Sequence, residues 1–287
     1  MLVLERRHRS IRAGAFVALL AAAILPHAVF AGPEEDRLDF VGYFQSRFPN
    51  VPFDEFANGI YAIDEDARTQ WLEIEEFPPY EFAIERGEAL WQTPFSNSST
   101  YADCYDWPLG EIRAAYPKFD AARGEVVTLD LSINHCLVAN GETPLAYNSS
   151  EMIDLTAYLA WVARGQKIDV RVPDDEPGSL AAYEEGKRFY YSKRGQLNLA
   201  CADCHVTSVG MYVRADHLSA SLGHPTHFPV YRSKLGRMIS MHERFYGCVR
   251  DVRARPFDLQ SLEYRNLEYF LAYMSNGLTI NGPGARK

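Results

Sequence analysis

Five residues in one short segment, Cys201-Ala202-Asp203-Cys204-His205, have the types and spacing to hold a metalloporphyrin. Two thiols one helical turn apart can add to the two vinyl groups on one edge of a haem. The adjacent histidine then places its imidazole under the iron. The same Cys-x-x-Cys spacing also serves thioredoxin-like redox pairs. The following histidine, the export leader of this chain and the Gly195-Gln196-Leu197-Asn198 loop upstream favour one covalent haem c. In that reading Cys201 and Cys204 carry the thioethers and His205 is an iron ligand.

The second axial ligand is open on these grounds. Met211, Met238, Met241 and Met274 follow the motif, as do His217, His224, His227 and His242. Each methionine alone reads as core packing, and each histidine as a surface or structural residue. Cys248 has a different claim, because it is the odd one of five cysteines (Cys104, Cys136, Cys201, Cys204, Cys248). In an oxidising compartment spare thiols pair, so a leftover one asks for a role. Its thiolate, or a persulfide derived from it, would bind ferric iron strongly and lower its potential.

The elements that must position these residues come next. Arg6, Arg7, Arg9 and Arg12 precede an apolar stretch at 13–25, and Val29-Phe30-Ala31 offers a small-residue cleavage site. That order makes residues 1–31 a secretory signal peptide cut after Ala31. Thirteen apolar residues are too few for a bilayer span, which needs about 20, so no membrane span is expected after processing. The whole chain of 287 residues carries −9; losing four arginines and Glu5 takes the remainder to about −12. An acidic chain of this kind excludes nucleic acid as a partner.

An internal repeat organises what remains. Tyr116-Pro117, Gly124, Cys136 and Gly165 recur 112 residues later as Phe228-Pro229, Gly236, Cys248 and Gly277. Leu155-x-x-Tyr158-Leu159-Ala160 recurs likewise as Leu267-x-x-Phe270-Leu271-Ala272, each in an apolar stretch of helical period followed by glycine. Upstream the offset falls to 100, where Tyr101-Ala102-Asp103-Cys104-Tyr105 stands against the haem motif. Tyrosines replace the first thioether cysteine and the histidine, so the first copy is a haem domain without haem. The expected fold is therefore mainly α: a haem-less cytochrome c-like domain at 81–169 and a haem-binding one at 178–287. A linker rich in Asp, Glu and Pro spans 170–177, and an N-terminal extension at 32–80 wraps or docks onto one of the domains. With no haem between them, Cys104 and Cys136 are free to form a disulfide, a loop closure contributing roughly 3–4 kcal/mol.

Arg194-Gly195-Gln196-Leu197-Asn198-Leu199-x-Cys201-x-x-Cys204-His205, followed by Glu243-Arg244-Phe245-x-x-Cys248, resembles the SoxA family. Tyr116-Pro117-x-Phe119-Asp120, Thr128-Leu129 and Ile133-Asn134-x-Cys136 resemble its first domain. Tyr101 and Tyr105 depart from the members with two haems, so the resemblance is to the single-haem type. It implies a periplasmic L-cysteine S-thiosulfotransferase that couples thiosulfate oxidatively to a cysteine of a SoxYZ-like carrier protein. Electrons would leave through haem to an electron-acceptor cytochrome c, and a small SoxX-like cytochrome c would complete a heterodimer. It makes His205 and Cys248 the axial ligands, Cys248 a cysteine persulfide at the active site, and Arg244 the substrate-binding residue.

Thiosulfate is a small dianion, which calls for fixed positive charge and a donor fork. At i, i+4 on one helix, Arg244 and Cys248 would share a face. Arg237, Arg250 and Lys234 could add to a basic mouth, although each alone reads as ordinary surface charge. The competing reading is a periplasmic electron-transfer cytochrome in which Cys248 only ligates iron. Such a carrier needs no substrate arginine.

Overall fold

Two pairs of crossing helices set the frame, and a glycine at each crossing lets the backbones meet. The computed structural model describes residues 32–286; the leader expected at 1–31 lies outside them. In the first half α3 (Glu81–Gln92) crosses α5 (Ser150–Val162), and a Cβ on Gly87 would sit 2.0 Å from the Asp154 carbonyl oxygen. In the second half α6 (Pro177–Tyr191) crosses α8 (Leu262–Met274), with the same 2.0 Å conflict at Gly186 against Asn266 O. Any larger residue would force the helices apart.

Between those helices the halves run in step. The hairpin β1 (Lys118–Asp120) and β2 (Glu125–Val127) leads into α4 (Leu129–Ala139). Its counterpart β5 (Val230–Arg232) and β6 (Arg237–Ile239) leads into α7 (Met241–Asp251). Every one of these elements, and α5 against α8, begins and ends 112 residues apart. Both hairpins turn on a left-handed glycine, Gly124 and Gly236, and both follow a cis proline, Pro117 and Pro229. The N-caps match as well: Thr128 and Ser240 accept from the third residue of α4 and α7, and Ser149 and Ser261 do so for α5 and α8. Such caps satisfy donors that a helix start leaves without partners.

The glycines after the paired helices do not themselves cap them. α5 stops at Val162 and α8 at Met274, and Gly165 and Gly277 follow with φ of 90° and 87°. They turn two short segments to face each other. Gly165 N donates to Ile280 O and Ile168 N to Leu278 O, while Gly277 N donates to Ile168 O and Ile280 N to Gln166 O. This stitch joins the halves, and from Gly32 onward the chain forms one compact unit.

Two apolar cores fill it. Trp91, Phe95, Tyr101, Ile133, Leu155 and Leu159 belong to the first. The second gathers Tyr183, Tyr190, Leu267, Phe270 and Leu271, and it takes in Val126, Ala163, Ile168 and Val170 from the first half. Val170, at the head of the expected linker, is thus tied into the core, with Asn276 bonded to both its N–H and its carbonyl. The N-terminal segment docks on the second half: α1 (Pro33–Arg47) inserts Phe40 and Phe44 beside Tyr190. α2 (Glu65–Glu75) meets the last strand β7 (Gly284–Arg286), which lies parallel to β5. A small hairpin, β3 (Tyr212–Val213) with β4 (Asp216–His217), stands out after the cysteine-histidine motif. Among the described residues no helix is long and apolar enough to cross a membrane.

Candidate haem and thiol site

The loop ahead of Cys201 is bound to the helix that carries Cys248. Gly195 adopts φ 68°, and a Cβ there would lie 2.1 Å from Val252 O. Gln196 N donates to Arg253 O at 3.4 Å and Leu197 N to Val252 O at 3.3 Å, just past the end of α7. Asn198, also left-handed, turns the chain back, and Ala200 N donates to Asp203 Oδ2 at 2.7 Å to open the motif turn. Residues Asp203–Thr207 then form one wide π-helical turn, closed by Ser208 N on Asp203 O at 3.1 Å. Single π turns of this kind re-aim a side chain within a helix.

His205 is held from its backbone and from its ring. Its carbonyl accepts from Ser221 N at 3.1 Å and Ser221 Oγ at 3.2 Å. Its Nδ1 lies 2.9 Å from Ser219 O, so Nδ1 carries the proton and Nε2 is left as the free lone pair. Burial pushes its pKa down to about 4, and the nearby Arg244 charge acts in the same direction. The imidazole is therefore neutral, the form that binds a metal. Burial also pushes the Cys201 thiol up to about 12 and raises Cys204. Cys201, Cys204 and Cys248 are all unbonded. Two unbonded thiols in one turn, a neutral imidazole with free Nε2 and a third unbonded thiol nearby fit a covalently held haem.

Arg244 and Cys248 lie one turn apart on α7, whose first turn is fixed by a reciprocal cap between Ser240 and Glu243. The negative form of Cys248 holds the Arg244 guanidinium above its usual value; burial opposes, and Asp216, Asp251 and Cys204 add to the rise. Arg244 and Gly247 line a cleft of about 470 Å³ beside this helix. Arg232, Lys234, Arg237 and Arg250 line it too, so the three basic residues picked out by sequence do gather there and Arg232 joins them.

Their charges, however, are engaged. Arg232 and Lys234 reach Asp216 at 3.2 and 3.3 Å, Arg237 reaches Glu243 at 2.9 Å, and Arg250 reaches Asp251 at 3.5 Å. Among the described residues Arg244 has neither an ion pair nor a side-chain hydrogen bond. It is the cleft cation not engaged in an ion pair.

Of the other residues considered as iron ligands, Met238 is half-buried on β6. Met241 and Met274 are core residues, and Met211 is 60% exposed on the β3 side of the motif. His217 stacks on Tyr212 and bonds Gly210 O. His242 Nδ1 accepts from Gln260 N while its Nε2 lies 3.0 Å from Glu268. His224 bonds Ser219 Oγ at 2.9 Å and packs edge-on against the His205 ring, and His227 is buried beside it. Ser219 and Ser221, which orient His205, were not legible in sequence, since nothing in the motif's spacing points to them.

In the first half the equivalent space is filled by protein. Cys104 and Cys136 are joined, with their Cα atoms 5.7 Å apart. Tyr101 and Tyr105, at the positions of Cys201 and His205, stack on Trp91 at 5.6 and 5.8 Å. The Tyr105 hydroxyl pairs with Ser132 Oγ at 3.1 Å.

Residues 86–168 match the family model described as SoxA/TsdA, cytochrome c domain, which is the half without a Cys-x-x-Cys-His motif. The L-cysteine S-thiosulfotransferase subunit SoxA of Allochromatium vinosum is 55% identical over 272 residues, 94% of this chain and 96% of that protein. This chain belongs to the SoxA family. The SoxA of Chlorobaculum tepidum is 49% identical, with 88% of each chain covered. The crystal structure of SoxXA from P. pantotrophus aligns with a TM-score of 0.68 at 30% identity, covering 78% of this chain and 84% of that one. A mainly helical fold and a cytochrome c domain, with the haem c chemistry such a domain implies, are therefore properties of the SoxA family that this chain shares.

Proposed function

We propose that this chain is the haem-bearing, periplasmic subunit of an L-cysteine S-thiosulfotransferase, acting on thiosulfate and a cysteine of a SoxYZ-like carrier protein. In the overall reaction an S–S bond forms between thiosulfate and the carrier cysteine, and the carrier S–H bond breaks. One proton and two electrons leave, the electrons going to an electron-acceptor cytochrome c. Cys201, Cys204, His205 and Cys248 would hold one haem c. When bound, that haem supplies a low-potential one-electron centre at the reacting sulfur.

The chain's own residues do the rest. Arg244 offers a desolvated fork to the dianion, and Arg232 and Lys234, both paired with Asp216, line the same cleft. Cys248, as its persulfide, places a reactive sulfur one helical turn from the bound substrate. The paired spacing of elements supports two cytochrome c-like units, 81–169 and 178–287, descended from one, the first having lost its haem. A SoxX-like small cytochrome c would complete the heterodimer, and residues 1–31 would direct export.

The observation that carries this reading is Arg244, the cleft cation not engaged in an ion pair, one turn from the unbonded Cys248. A plain electron carrier has no use for it. Arg244→Ala should abolish thiosulfate turnover, by roughly 10²-fold or more, while the haem absorption spectrum stays as in the wild type. Unchanged turnover would overturn the assignment.

A further inference from the structure

The turn that carries His205 has a second anchor, and it comes from the far end of the chain. Arg47, the last residue of α1, donates through one guanidinium nitrogen to Val206 O at 2.5 Å and Thr207 O at 3.0 Å. Its other terminal nitrogen donates to Val209 O at 3.0 Å. Tyr43, one turn earlier on α1, donates its hydroxyl to Val206 O at 3.3 Å and accepts from Arg47. Val206 and Thr207 carry carbonyls that a short helical turn leaves unsatisfied at its C-terminal end, and Val209 follows just past it. A cation there also opposes the partial negative charge of the helix terminus. The planar fork of arginine reaches all three carbonyls at once, which a lysine ammonium cannot do in the same geometry.

We infer that Arg47 is a positioning residue for His205: its fork closes the C-terminal end of the π turn and fixes the height and tilt of the imidazole. The opposite side of the turn is already fixed by Ser221 on the His205 carbonyl and by Ser219 on Nδ1. With Arg47 present the turn is gripped from two directions. Phe40 and Phe44 hold α1 in the core independently of this contact. Arg47 is therefore not needed to dock the helix. Among the described residues its side-chain bonds go to the motif turn and to Val209 just after it, apart from the one to Tyr43 and a contact with the Phe48 ring.

This inference rests on His205 being the proximal iron ligand. That reading fails on its own, before any variant is made, if the purified wild-type chain gives no covalent haem stain. The test uses the full-length haem-loaded complex and reads the ferric low-spin electron paramagnetic resonance signal, together with cyanide binding. Arg47→Ala should split or broaden the low-spin signal and bind cyanide roughly tenfold more readily, the size of effect typical of groups that orient a ligand. Arg47→Lys keeps the charge but loses the fork, so it should show the same change in the resonance signal. Tyr43→Phe should move both readouts slightly and in the same direction. Arg37→Ala, on the same helix but paired with Glu34, should match the wild type. A wild-type signal and unchanged cyanide affinity in Arg47→Ala would overturn the inference. So would an equal change in Arg37→Ala. If Arg47→Ala does not accumulate, wild-type signals in both Arg47→Lys and Tyr43→Phe would overturn it instead.

Discussion

Charge without a partner and charge with too many neighbours mark the two sensitive residues of this molecule. Arg244 is the first. The second is Asp130, which sits with Glu268, His242 and Arg113 around a small cavity at the contact between the halves. Burial and then the neighbouring Glu268 push its carboxyl up to about 6, against the pull of His242 and Arg113. The folded chain thus holds this proton more tightly than the unfolded chain does. The stability from Asp130 is complete below an ordinary value near 3.8 and is lost as pH rises through about 6. Asp130→Asn should then stabilise the protein on the order of 1–2 kcal/mol at pH 7.5, less than full burial implies because the side chain keeps some exposure. At pH 4 it should give almost nothing. Urea unfolding at the two pH values measures the difference, and an equal effect at both would discard the explanation. Arg244 and Cys248 were legible in sequence because i, i+4 spacing is a local property of a helix. Asp130 and Arg47 were not, because each acquires its meaning from residues more than a hundred positions away.

Elements repeat more strictly than residues do. α4 and α7, α5 and α8, and the two hairpins keep their lengths and spacing although most of their side chains differ. What persists is what backbone geometry demands: the cap serines and threonine, the left-handed glycines and the crossing glycines. The offset of 112 was readable because turns and caps tolerate few residue types. The π turn was not readable, since its width comes from tertiary contacts and not from propensity. Gly186→Ala tests the demand directly, because the new Cβ would meet Asn266 O at 2.0 Å. It should cost about 3 kcal/mol and lower the melting temperature by several degrees. Ala182→Gly, one turn away on α6, should cost only about 1 kcal/mol plus a methyl group of packing. Equal losses from the two would mean that the close crossing is not rigid.

At the scale of the molecule the halves have answered the same constraint in different ways. The first half closes its centre with a disulfide spanning 32 residues and a stack of Trp91, Tyr101 and Tyr105; the second leaves its three cysteines unbonded. On loop length alone the bridge contributes roughly 3–4 kcal/mol, so replacing Cys104 and Cys136 by alanine together should lower stability by about that amount. Thermal unfolding with visible detection should show the haem spectrum of the folded protein unchanged, because the bridge is in the other half. A lost haem would show instead that the halves depend on each other. The repeat made the 112-residue spacing of elements legible. The shared core was not, since Val126 and Ile168 look like ordinary members of the first half, and Val170 like the start of a linker, until the chain folds back.

The meeting of β7 with α2 has a consequence in time. Ala285 N donates to Glu75, and the Arg286 guanidinium lies over the rings of Tyr61 and Trp71. The stretch from Tyr61 to Glu75 therefore meets these partners only once Ala285 and Arg286 are in place. α1 has partners earlier in the chain, Phe40 on Tyr190 and Arg47 on the turn after Cys204. Contacts of such high sequence separation form slowly, because the loop they close must first be ordered. A chain lacking Ala285 and Arg286 would lose the clasp on α2 and keep α1 docked through Phe40 and Phe44.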